Sequence, residues 1–307
     1  MKVINSSQFA EINNIPVVLA IGSFDGLHKG HQLIINKNKE IAAKKDLAAG
    51  VFSFDPHPLS VVNPNQAPKH LLSEGQKINR LKQLDIDYYF QQKFTSEFAE
   101  LEFDDFIKNI LINKLKIRHL VIGSDFQFGY KGKGDVTALK KLSQKYNFAV
   151  TIVNPVKINK KIVSSSYIRE LVQKGNIEKV PTYLGDYFEI KGKVVKGEGI
   201  GRKLGFPTAN LKLNNNYVLP PPGVYAGWAY VNGYKYKGIG NLGYKPTFSA
   251  DKYNIEIHIL DFSKNIYNKT LSFKLVKFVR KESNFEDISN LKKQINKDIL
   301  YTQKHIC

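Results

Sequence analysis

The sequence predicts an α/β domain built on a parallel sheet, followed by a small antiparallel β-barrel and a C-terminal helix. Up to about residue 185, short apolar runs alternate with amphipathic stretches, as in proteins whose strands and helices alternate. Beyond that point, strand-like segments separated by Gly and Pro follow one another until a final amphipathic stretch. With 307 residues the chain exceeds one average domain, so we predict two domains, 1–185 and 186–307.

The elements of the first domain follow from apolar periodicity. Continuous apolar runs predict buried strands at 17–21, 50–54, 119–123 and 148–153. Apolar residues recur near the helical period over 97–115, which predicts a single helix there. Such alternation forms a parallel sheet with helices on its faces, and ligands bind at the carboxyl ends of its strands.

An Asn-Gly pair at 232–233 is the strongest local signal of the second domain, because it predicts a tight two-residue hairpin turn. The predicted strands are 224–231, 234–240, 253–260 and 271–280. A helix over 286–300 closes the chain, and the three asparagines at 214–216 are interpreted as a loop. These elements predict a small antiparallel barrel.

The charge balance is strongly positive, with 46 Lys and Arg against 27 Asp and Glu and a formal net charge of +19. Such a field attracts polyanions, and nucleic acid, anionic membranes and nucleotides all qualify. The lysines are scattered rather than gathered in an arm, which favours the codon usage of an A/T-rich genome as their cause. We therefore expect no nucleic acid and no membrane as partners, and a monomer or weak oligomer.

Cysteine usage and hydropathy limit the setting of the protein. The single cysteine, Cys307, excludes a disulfide framework and a cysteine-based zinc site. The sequence shows no signal peptide and no apolar run of membrane-spanning length, so we expect a cytoplasmic protein.

A Gly-rich segment directly after the first predicted strand is the first candidate site. It reads Gly22-Ser23-Phe24-Asp25-Gly26-Leu27-His28-Lys29-Gly30-His31 and opens a predicted helix. Small residues let backbone N–H groups approach a phosphate, and a helix N-terminus adds partial positive charge. His28 and His31 are three residues apart and can donate hydrogen bonds to charge that builds on an α-phosphate. The alternative is a plain Gly-rich turn with two incidental histidines.

This segment resembles the His-x-Gly-His signature of the nucleotidyltransferase superfamily, in the form found in bacterial bifunctional riboflavin kinase/FAD synthetases. Three further blocks resemble the same family: Phe-Ser-Phe-Asp-Pro-His-Pro at 52–58, Gly-Ser-Asp-Phe-Gln-Phe-Gly at 123–129 and Ser-Ser-Ser-Tyr-Ile-Arg at 164–169. The resemblance implies a Rossmann-like FMN adenylyltransferase domain in which His28 and His31 are catalytic. It implies ATP binding by Gly22, Ser23, Phe24, Asp25, Gly30, Ser164, Ser165 and Arg169. It implies flavin binding by Phe54, Pro56, His57, Pro58, Asp125 and Phe126.

A second candidate site lies at the start of the predicted barrel. The sequence contains no Gly-x4-Gly-Lys-Ser/Thr loop, so a kinase here is not of the P-loop type. Residues 197–205 form a flexible, basic, Gly-rich loop that leads into Phe206-Pro207-Thr208-Ala209-Asn210. Thr208 and Asn210 fall on one face of an extended segment and offer oxygen ligands that suit Mg²⁺. A Gly-rich hairpin and turn without any ligand is the alternative.

A third candidate is Glu256, an acidic residue within the predicted strand 253–260. In the segment Ile-Glu-Ile-His-Ile at 255–259, the three isoleucines share one face, and Glu256 and His258 share the other. One interpretation is an amphipathic strand with a solvated outer face. The other is that Glu256 faces a site as the general base for a substrate hydroxyl.

The stretch Gly-Phe-Pro-Thr-Ala-Asn at 205–210 resembles the signature of riboflavin kinase domains, and the blocks at 222–226, 241–248, 256–262 and 279–285 resemble that family in order. The resemblance implies that Glu256 is catalytic and that Thr208 and Asn210 hold Mg²⁺. It implies ATP binding by Gly197, Gly201, Lys203, Gly205, Pro207 and Thr208, and flavin binding by Arg280, Glu282 and Phe285. Together the two resemblances imply that ATP converts riboflavin to FMN and then FMN to FAD, with release of pyrophosphate.

Four positions depart from the family pattern. Gln127, Tyr167 and Ile200 stand where arginine is usual, which removes fixed positive charge, and Lys245 replaces another arginine before Pro-Thr. Lys131 and Lys133 are close to Gln127 in sequence and can substitute for the missing charge.

Two rival functions stay open at the level of the sequence. One is a nucleotidyltransferase that acts on a different phosphate or alcohol and carries a degenerate barrel. The other is a nucleic-acid-binding module, which the Tyr-Lys-Tyr-Lys run at 234–237 fits weakly.

Overall fold

A computed structural model describes residues 1–11, 15–213, 216–245 and 252–306. The chain divides into two compact units. Unit 1 comprises Met1–Pro68 and Glu74–Ser164, and unit 2 comprises Lys69–Ser73 and Ser165–Cys307. The two units meet in sequence between Pro68 and Lys69, between Ser73 and Glu74, and between Ser164 and Ser165. The predicted division into domains 1–185 and 186–307 stays a prediction.

Unit 1 contains a six-stranded, wholly parallel sheet in the order β1-β4-β3-β2-β5-β6. A small antiparallel hairpin, β7 and β8, follows the sheet. The strands are β1 (Lys2–Asn5), β2 (Val17–Ile21), β3 (Ala48–Asp55), β4 (Tyr88–Lys93), β5 (Ile117–Gly123), β6 (Ala149–Val153), β7 (Lys157–Ile158) and β8 (Lys161–Ile162). The four strands predicted from apolar runs are confirmed, while β1 and β4, which are shorter or more polar, were not predicted.

The helices of unit 1 lie between these strands. They are α1 (Lys29–Lys45), α2 (Pro58–Val62), α3 (Glu74–Gln83), α4 (Ser96–Ala99), α5 (Phe103–Asp105), which continues as π-helical turns over Phe106–Lys114, and α6 (Val136–Lys145). Single 3-10 turns cover Ser6–Glu11, Pro64–Gln66 and Tyr130–Gly132. The strand–helix alternation expected from the sequence is confirmed.

The single helix predicted over 97–115 is wrong. Helix α4 ends at Ala99, and α5 begins at Phe103 after Glu102 has adopted an extended backbone with φ −63° and ψ 152°. Because α5 begins at Phe103, the backbone of this residue packs closely against Gly129. A Cβ added at Gly129 would lie 2.5 Å from Phe103 Cα. Apolar periodicity continues through this break because Phe98 and Phe106 pack against the same core.

The strand order places the candidate nucleotide segment at a topological switch. Strand β2 lies between β3 and β5 in the sheet. From β2 the chain adds β3 and β4 on one side and then β5 and β6 on the other, so the direction of strand addition reverses beside β2. The Gly-rich segment follows β2 and the Gly-Ser-Asp-Phe segment follows β5, both at carboxyl ends. Ligands of open α/β sheets bind in the crevice at this point.

Unit 2 is a closed barrel of six strands in the order β10-β13-β12-β11-β14-β9, with every described pair antiparallel. The strands are β9 (Phe188–Val195), β10 (Ala209–Lys212), β11 (Gly223–Val231), β12 (Tyr234–Lys245), β13 (Lys252–Ile259) and β14 (Thr270–Arg280). The hairpin predicted at Asn232-Gly233 is confirmed, and both turn residues have positive φ, 50° and 83°. The barrel and the final helix agree with the predicted fold.

Helices α7 (Ser165–Gln173), α8 (Val180–Leu184), α9 (Ile200–Leu204) and α10 (Ile288–His305), with a 3-10 turn at Ile177–Lys179, complete unit 2. Helix α9 corrects the expectation of a flexible loop over 197–205: its N-cap Gly199 and C-cap Gly205 both have left-handed backbones, which let a single turn form between them. Asn214, Asn215, Pro246, Thr247, Phe248 and Cys307, which the sequence interpretation used, lie outside the described residues. Among the helices that are described, no segment has the length and apolar character required to cross a bilayer.

Candidate active sites

The Gly-rich segment of unit 1 turns sharply between β2 and α1. Phe24 and Leu27 both have φ near 49°, and Gly26 has φ 86°. Left-handed backbones at two large residues are uncommon and persist only where the surroundings fix them, which is frequent at ligand sites. Phe24, Asp25 and Leu27 are buried, while Gly22 and Ser23 are partly exposed.

Three side chains hold the carbonyl groups of this segment. Ser53 Oγ donates to Ser23 O at 3.1 Å, Arg80 Nη1 donates to Gly26 O at 3.3 Å, and Gln32 Nε2 donates to Leu27 O at 2.8 Å. Ser53 is fully buried on β3. The shape of the segment is thus set by side chains from β3, α3 and α1 before any ligand binds.

The two histidines meet at the start of α1, as predicted. Their rings stack with centroids 3.6 Å apart and an interplanar angle of 16°. His28 is the N-cap residue, and its Nδ1 accepts a hydrogen bond from the backbone N–H of His31 at 3.3 Å. Gly30 makes room for this arrangement, because an added Cβ would lie 3.1 Å from His28 Cε1. A stacked pair of imidazoles therefore lies at a helix N-terminus, where negative charge is favoured.

A large aromatic cavity of about 700 Å³ opens elsewhere in unit 1. It brings together three of the predicted flavin residues, Phe54, Pro58 and Phe126. Pro56, His57 and Asp125 lie next to these residues in the chain but do not line the cavity. His57 instead caps α2, where its Nδ1 accepts a hydrogen bond from Leu59 N at 3.2 Å.

Two lysines lie at or near the same cavity, where Gln127 replaces the usual arginine. Gln127 lines it together with Lys131, whose ammonium group lies 5.1 Å from the ring centroid of Tyr130. Lys133 lies 5.2 Å from the same centroid on an exposed turn. Positive charge is thus present at this cavity even though an arginine is not.

The predicted phosphate-binding serines lie at the junction in sequence between the units. Ser164 is the last residue of unit 1, and Ser165 begins α7 in unit 2. Within unit 2, Arg169 Nε donates to Lys69 O at 2.7 Å. Tyr167 packs edge-on against Tyr183 with centroids 4.9 Å apart, and a hydrogen bond with Tyr183 raises the pKa of its hydroxyl.

The barrel carries a cavity of about 360 Å³ that collects most of the predicted kinase residues. The predicted residues that line it are Gly201, Thr208, Asn210, Glu256, Arg280, Glu282 and Phe285. Gly197 borders it, because an added Cβ there would overlap the Asn210 side chain. At Gly201, an added Cβ would lie 2.5 Å from Phe206 O and 3.3 Å from Thr208 Oγ1. These glycines let the α9 loop close over the two proposed metal ligands.

Glu256 faces this cavity rather than open solvent. The isoleucines on either side of it are buried, which confirms the predicted alternation, and Asn210 and Asn241 are its partners on β10 and β12. Thr208 Oγ1 donates to Glu256 Oε2 at 3.2 Å, and Asn254 Nδ2 donates to Oε1 at 2.8 Å. His258, two residues along, is held by Pro207 O at 2.8 Å from its Nδ1.

A smaller cavity of about 190 Å³ adjoins the first one. Thr208 lines both cavities, and Pro207 lines only the smaller one. Its far wall comes from residues between β13 and β14, including Phe262, Lys264 and Tyr267, which the sequence interpretation did not assign to a site. Lys203 is exposed on α9 and, like Gly205, lines neither cavity.

Arg280 is held by an aspartate that sequence reasoning missed. Its Nη2 lies 2.9 Å from Asp298 Oδ2, and its Nε lies 3.1 Å from both carboxylate oxygens. Asp298 is only 4% exposed and accepts a further bond from Gln294 at 2.9 Å. An acidic residue beside Ile295 and Ile299 on the apolar stripe of α10 was the available signal.

The comparisons with known proteins match each unit to a family model. Residues 10–167 match the FAD synthetase model, and residues 184–306 match the riboflavin kinase model. Curated relatives named bifunctional riboflavin kinase/FMN adenylyltransferase match nearly the whole chain. The Bacillus subtilis relative is 40% identical over 92% of this chain and 90% of its own length. The chain belongs to the bifunctional riboflavin kinase/FMN adenylyltransferase family.

Other members of the bifunctional riboflavin kinase/FMN adenylyltransferase family match with similar coverage. The relative from Buchnera aphidicola of Acyrthosiphon pisum is 38% identical over 99% of this chain and 98% of its own. The Escherichia coli K12 relative is 34% identical over 92% and 90%. A crystal structure described as a macrolide-efflux protein from Streptococcus pneumoniae has a TM-score of 0.88, is 28% identical and covers 99% of both chains. The family resemblance stated from the motifs is therefore confirmed.

Proposed function

We propose that unit 2 phosphorylates riboflavin to FMN with ATP and that unit 1 transfers the adenylyl group of a second ATP to FMN, which yields FAD. The observation that carries this proposal is the hydrogen bond between Thr208 and Glu256 at the junction of two cavities in the barrel. This contact brings the proposed base, Glu256, and the proposed metal ligand, Thr208, to the same place. Membership of the family, whose named relatives carry both activities, supports the pairing of the two reactions in one chain.

In unit 2, the two adjoining cavities suit two substrates. The larger one, with Phe285 and the Arg280 guanidinium in its lining, is proposed to hold the flavin ring, and the smaller one to hold the nucleotide. Thr208 belongs to both, so the ribityl hydroxyl and the γ-phosphate meet beside it. Glu256 takes the proton from the ribityl 5′-hydroxyl while the oxygen of that hydroxyl forms a bond to the γ-phosphorus of ATP. The bond between the γ-phosphorus and the bridging oxygen of the β-phosphate breaks, and ADP is released.

The residues around Glu256 fit a magnesium ion. The Thr208 hydroxyl donates its hydrogen to Glu256, which leaves the lone pairs of the Thr208 oxygen available. Asn210, which lines the same cavity and pairs with Glu256 across the strands, offers an amide oxygen. Among the described residues no cluster of three or more His, Cys, Asp or Glu side chains is placed to hold a metal. A site with two neutral oxygen ligands suits Mg²⁺, which takes the rest of its coordination from phosphates and water. When bound, the ion would neutralise charge on the phosphates.

In unit 1, the FMN phosphate is already ionised, so its attack on the α-phosphorus of ATP requires no general base. His28 and His31 are proposed to donate hydrogen bonds to the charge that develops there, while pyrophosphate leaves. Their stacked rings are held by the α1 N-terminus and Gly30, so little reorganisation is needed during the reaction. Phe54, Pro58 and Phe126 are proposed to receive the flavin ring in the aromatic cavity.

Chromatography of the flavins formed from riboflavin, ATP and Mg²⁺ tests the proposed function. FMN should appear first and FAD afterwards, with ADP and then pyrophosphate as the by-products. A protein that binds riboflavin and hydrolyses ATP but forms neither FMN nor FAD would overturn the proposal. Adenylylation of a different phosphate or alcohol, with no flavin product, would favour the rival nucleotidyltransferase.

A further inference from the structure

The Glu256 carboxylate accepts hydrogen bonds on both of its oxygens. Thr208 Oγ1 donates to Oε2 at 3.2 Å, and the side-chain amide of Asn254 donates to Oε1 at 2.8 Å. The shorter of the two comes from Asn254, a residue that none of the sequence motifs contains.

Strand geometry puts Asn254 in a crowded acidic surrounding. Asn254 and Glu256 are two residues apart on β13, so their side chains share one face, while Ile255 and Ile257 are buried on the other. Gly243 lies opposite Asn254 on β12, and an added Cβ at Gly243 would overlap the carboxylate of Glu282. Two carboxylates thus flank the position of Asn254.

An amide is well suited to that position. Its NH₂ group can only donate, and a donor facing an ionised carboxylate forms a charge-assisted hydrogen bond that is stronger than a neutral one. An acidic residue of the same size would instead add a third negative charge beside Glu256 and Glu282. A leucine of similar size would leave Oε1 without this donor.

Orientation of the carboxylate is what the contact controls. The accepting atom of a general base must lie within about 2.6–3.2 Å of the atom whose proton it removes, and misplacement by about 1 Å can reduce the rate on the order of 10²-fold. With Oε1 held by Asn254, Oε2 is the oxygen that faces Thr208 and the junction of the two cavities.

We propose that Asn254 is a positioning residue for riboflavin phosphorylation: its amide fixes Glu256 Oε1 so that Oε2 faces the substrate hydroxyl. The proposal rests on the role of Glu256 given under the proposed function. It predicts that Asn254 affects the chemical step through Glu256 and not the binding of either substrate.

The first arm of the test uses steady-state kinetics of the full chain. Asn254→Leu should lower kcat of FMN formation on the order of 10-fold, with the KM values for riboflavin and ATP unchanged within about 2-fold. Asn254→Asp should lower kcat by at least as much. FAD formation from supplied FMN should stay at the wild-type rate in both variants. Asn296→Leu, at an exposed position on α10, is the matched control and should change neither reaction.

The second arm is a double-mutant cycle that combines Asn254→Leu with Glu256→Gln. The quantity measured in each variant is the single-turnover rate of FMN formation. Because Asn254 is proposed to act through Glu256, Asn254→Leu should cause no further loss in the Glu256→Gln background. An equal loss in both backgrounds would overturn the proposal, as would wild-type kcat in Asn254→Leu beside an inactive Glu256→Gln. A loss that appears as raised KM values together with a lower melting temperature would show a structural role and would also overturn it. Full turnover in Glu256→Gln would instead refute the proposed function on which this inference rests.

Discussion

The hydroxyl of Thr208 donates a hydrogen bond to Glu256 Oε2 at 3.2 Å, and it does so where the two cavities of the barrel adjoin. The contact joins the end of the Gly-rich loop to β13, two segments separated by 48 residues in the chain. The Thr208 hydroxyl hydrogen bonds to the Glu256 carboxylate, while the lone pairs of the Thr208 oxygen stay available to a cation. The geometry thus ties the proposed metal ligand to the proposed base.

This relationship predicts a specific effect of removing the hydroxyl. Thr208→Val preserves the shape of the side chain but has no oxygen, so the Mg²⁺ concentration that half-saturates FMN formation should rise by at least about 10-fold. Thr208→Ser, which restores a hydroxyl, should return the Mg²⁺ dependence close to that of the wild type. Initial rates of FMN formation measured across a Mg²⁺ titration check both variants. Superimposable curves for the wild type and Thr208→Val would contradict the proposed ligand.

The extent of the kinase unit can be tested by truncation. Ile177, Val180 and Leu184 are buried within unit 2 although they precede the predicted boundary near residue 185. A chain of residues 165–307 should therefore melt at a higher temperature than one of residues 186–307, because burial of each such side chain contributes about 1.5–3 kcal/mol. Both should form FMN from riboflavin and no FAD. A folded fragment that binds riboflavin but forms no FMN would show that the kinase has been assigned to the wrong half.

The ion pair between partly exposed Arg280 and buried Asp298 predicts a cost in stability. Asp298→Asn removes the charge that faces Arg280 in a site where Asp298 is 4% exposed. The free energy of unfolding should fall by about 1–3 kcal/mol, the usual cost of leaving a buried polar group poorly paired. Chemical denaturation followed by fluorescence measures the change. Lys174→Gln breaks an exposed pair with Glu170 on α7 and serves as the control, with little change expected.

Equal stability of Asp298→Asn and the wild type would contradict the assigned contact. The paired variant Arg280→Met with Asp298→Leu separates charge from packing, because replacing both partners of a buried pair by apolar groups is often neutral. Its stability should lie closer to that of the wild type than the stability of Asp298→Asn does.

A buried histidine predicts how stability depends on pH. His119 on β5 is 7% exposed, its Nε2 lies 2.8 Å from Thr151 Oγ1, and burial lowers its pKa, with a smaller contribution from the charge of Lys45. Below about pH 6.5 the unfolded chain binds a proton that the folded chain resists, so the free energy of unfolding falls as the pH falls. His119→Gln should reduce the loss of stability between pH 7.5 and pH 5.5. An unchanged loss in this variant would show that His119 does not contribute to it.

The fold could be predicted from the sequence because its main signals are local. Buried runs such as Val17–Ile21 and the Asn232-Gly233 turn require no knowledge of distant residues. The same holds for Glu256, whose place opposite the core follows from alternation alone. The break before Phe103 was missed because it depends on close packing against Gly129, far along the chain.

Residues that act through another side chain could not be predicted from the sequence either. Alternation along β13 already puts Asn254 on the face of Glu256, but its hydrogen bond to that carboxylate and its nearness to Glu282 emerge only from the tertiary structure. Asp298 becomes informative only when α10 is seen to carry it to Arg280. Short motifs identify groups that touch a ligand, whereas the supports of those groups come from tertiary contacts.

The central claim is that Glu256 and the histidine pair serve two separate reactions in one chain. Its most direct measurement is the flavin product profile of Glu256→Gln and His31→Ala, each given ATP and Mg²⁺ with either riboflavin or FMN. Glu256→Gln should lower FMN formation by about 10²–10⁴-fold, through loss of the base, and leave FAD formation from FMN near the wild-type rate. His31→Ala should lower FAD formation by about 10²–10³-fold while FMN accumulates. Loss of both activities in either folded variant, or full kinase turnover in Glu256→Gln, would contradict the account.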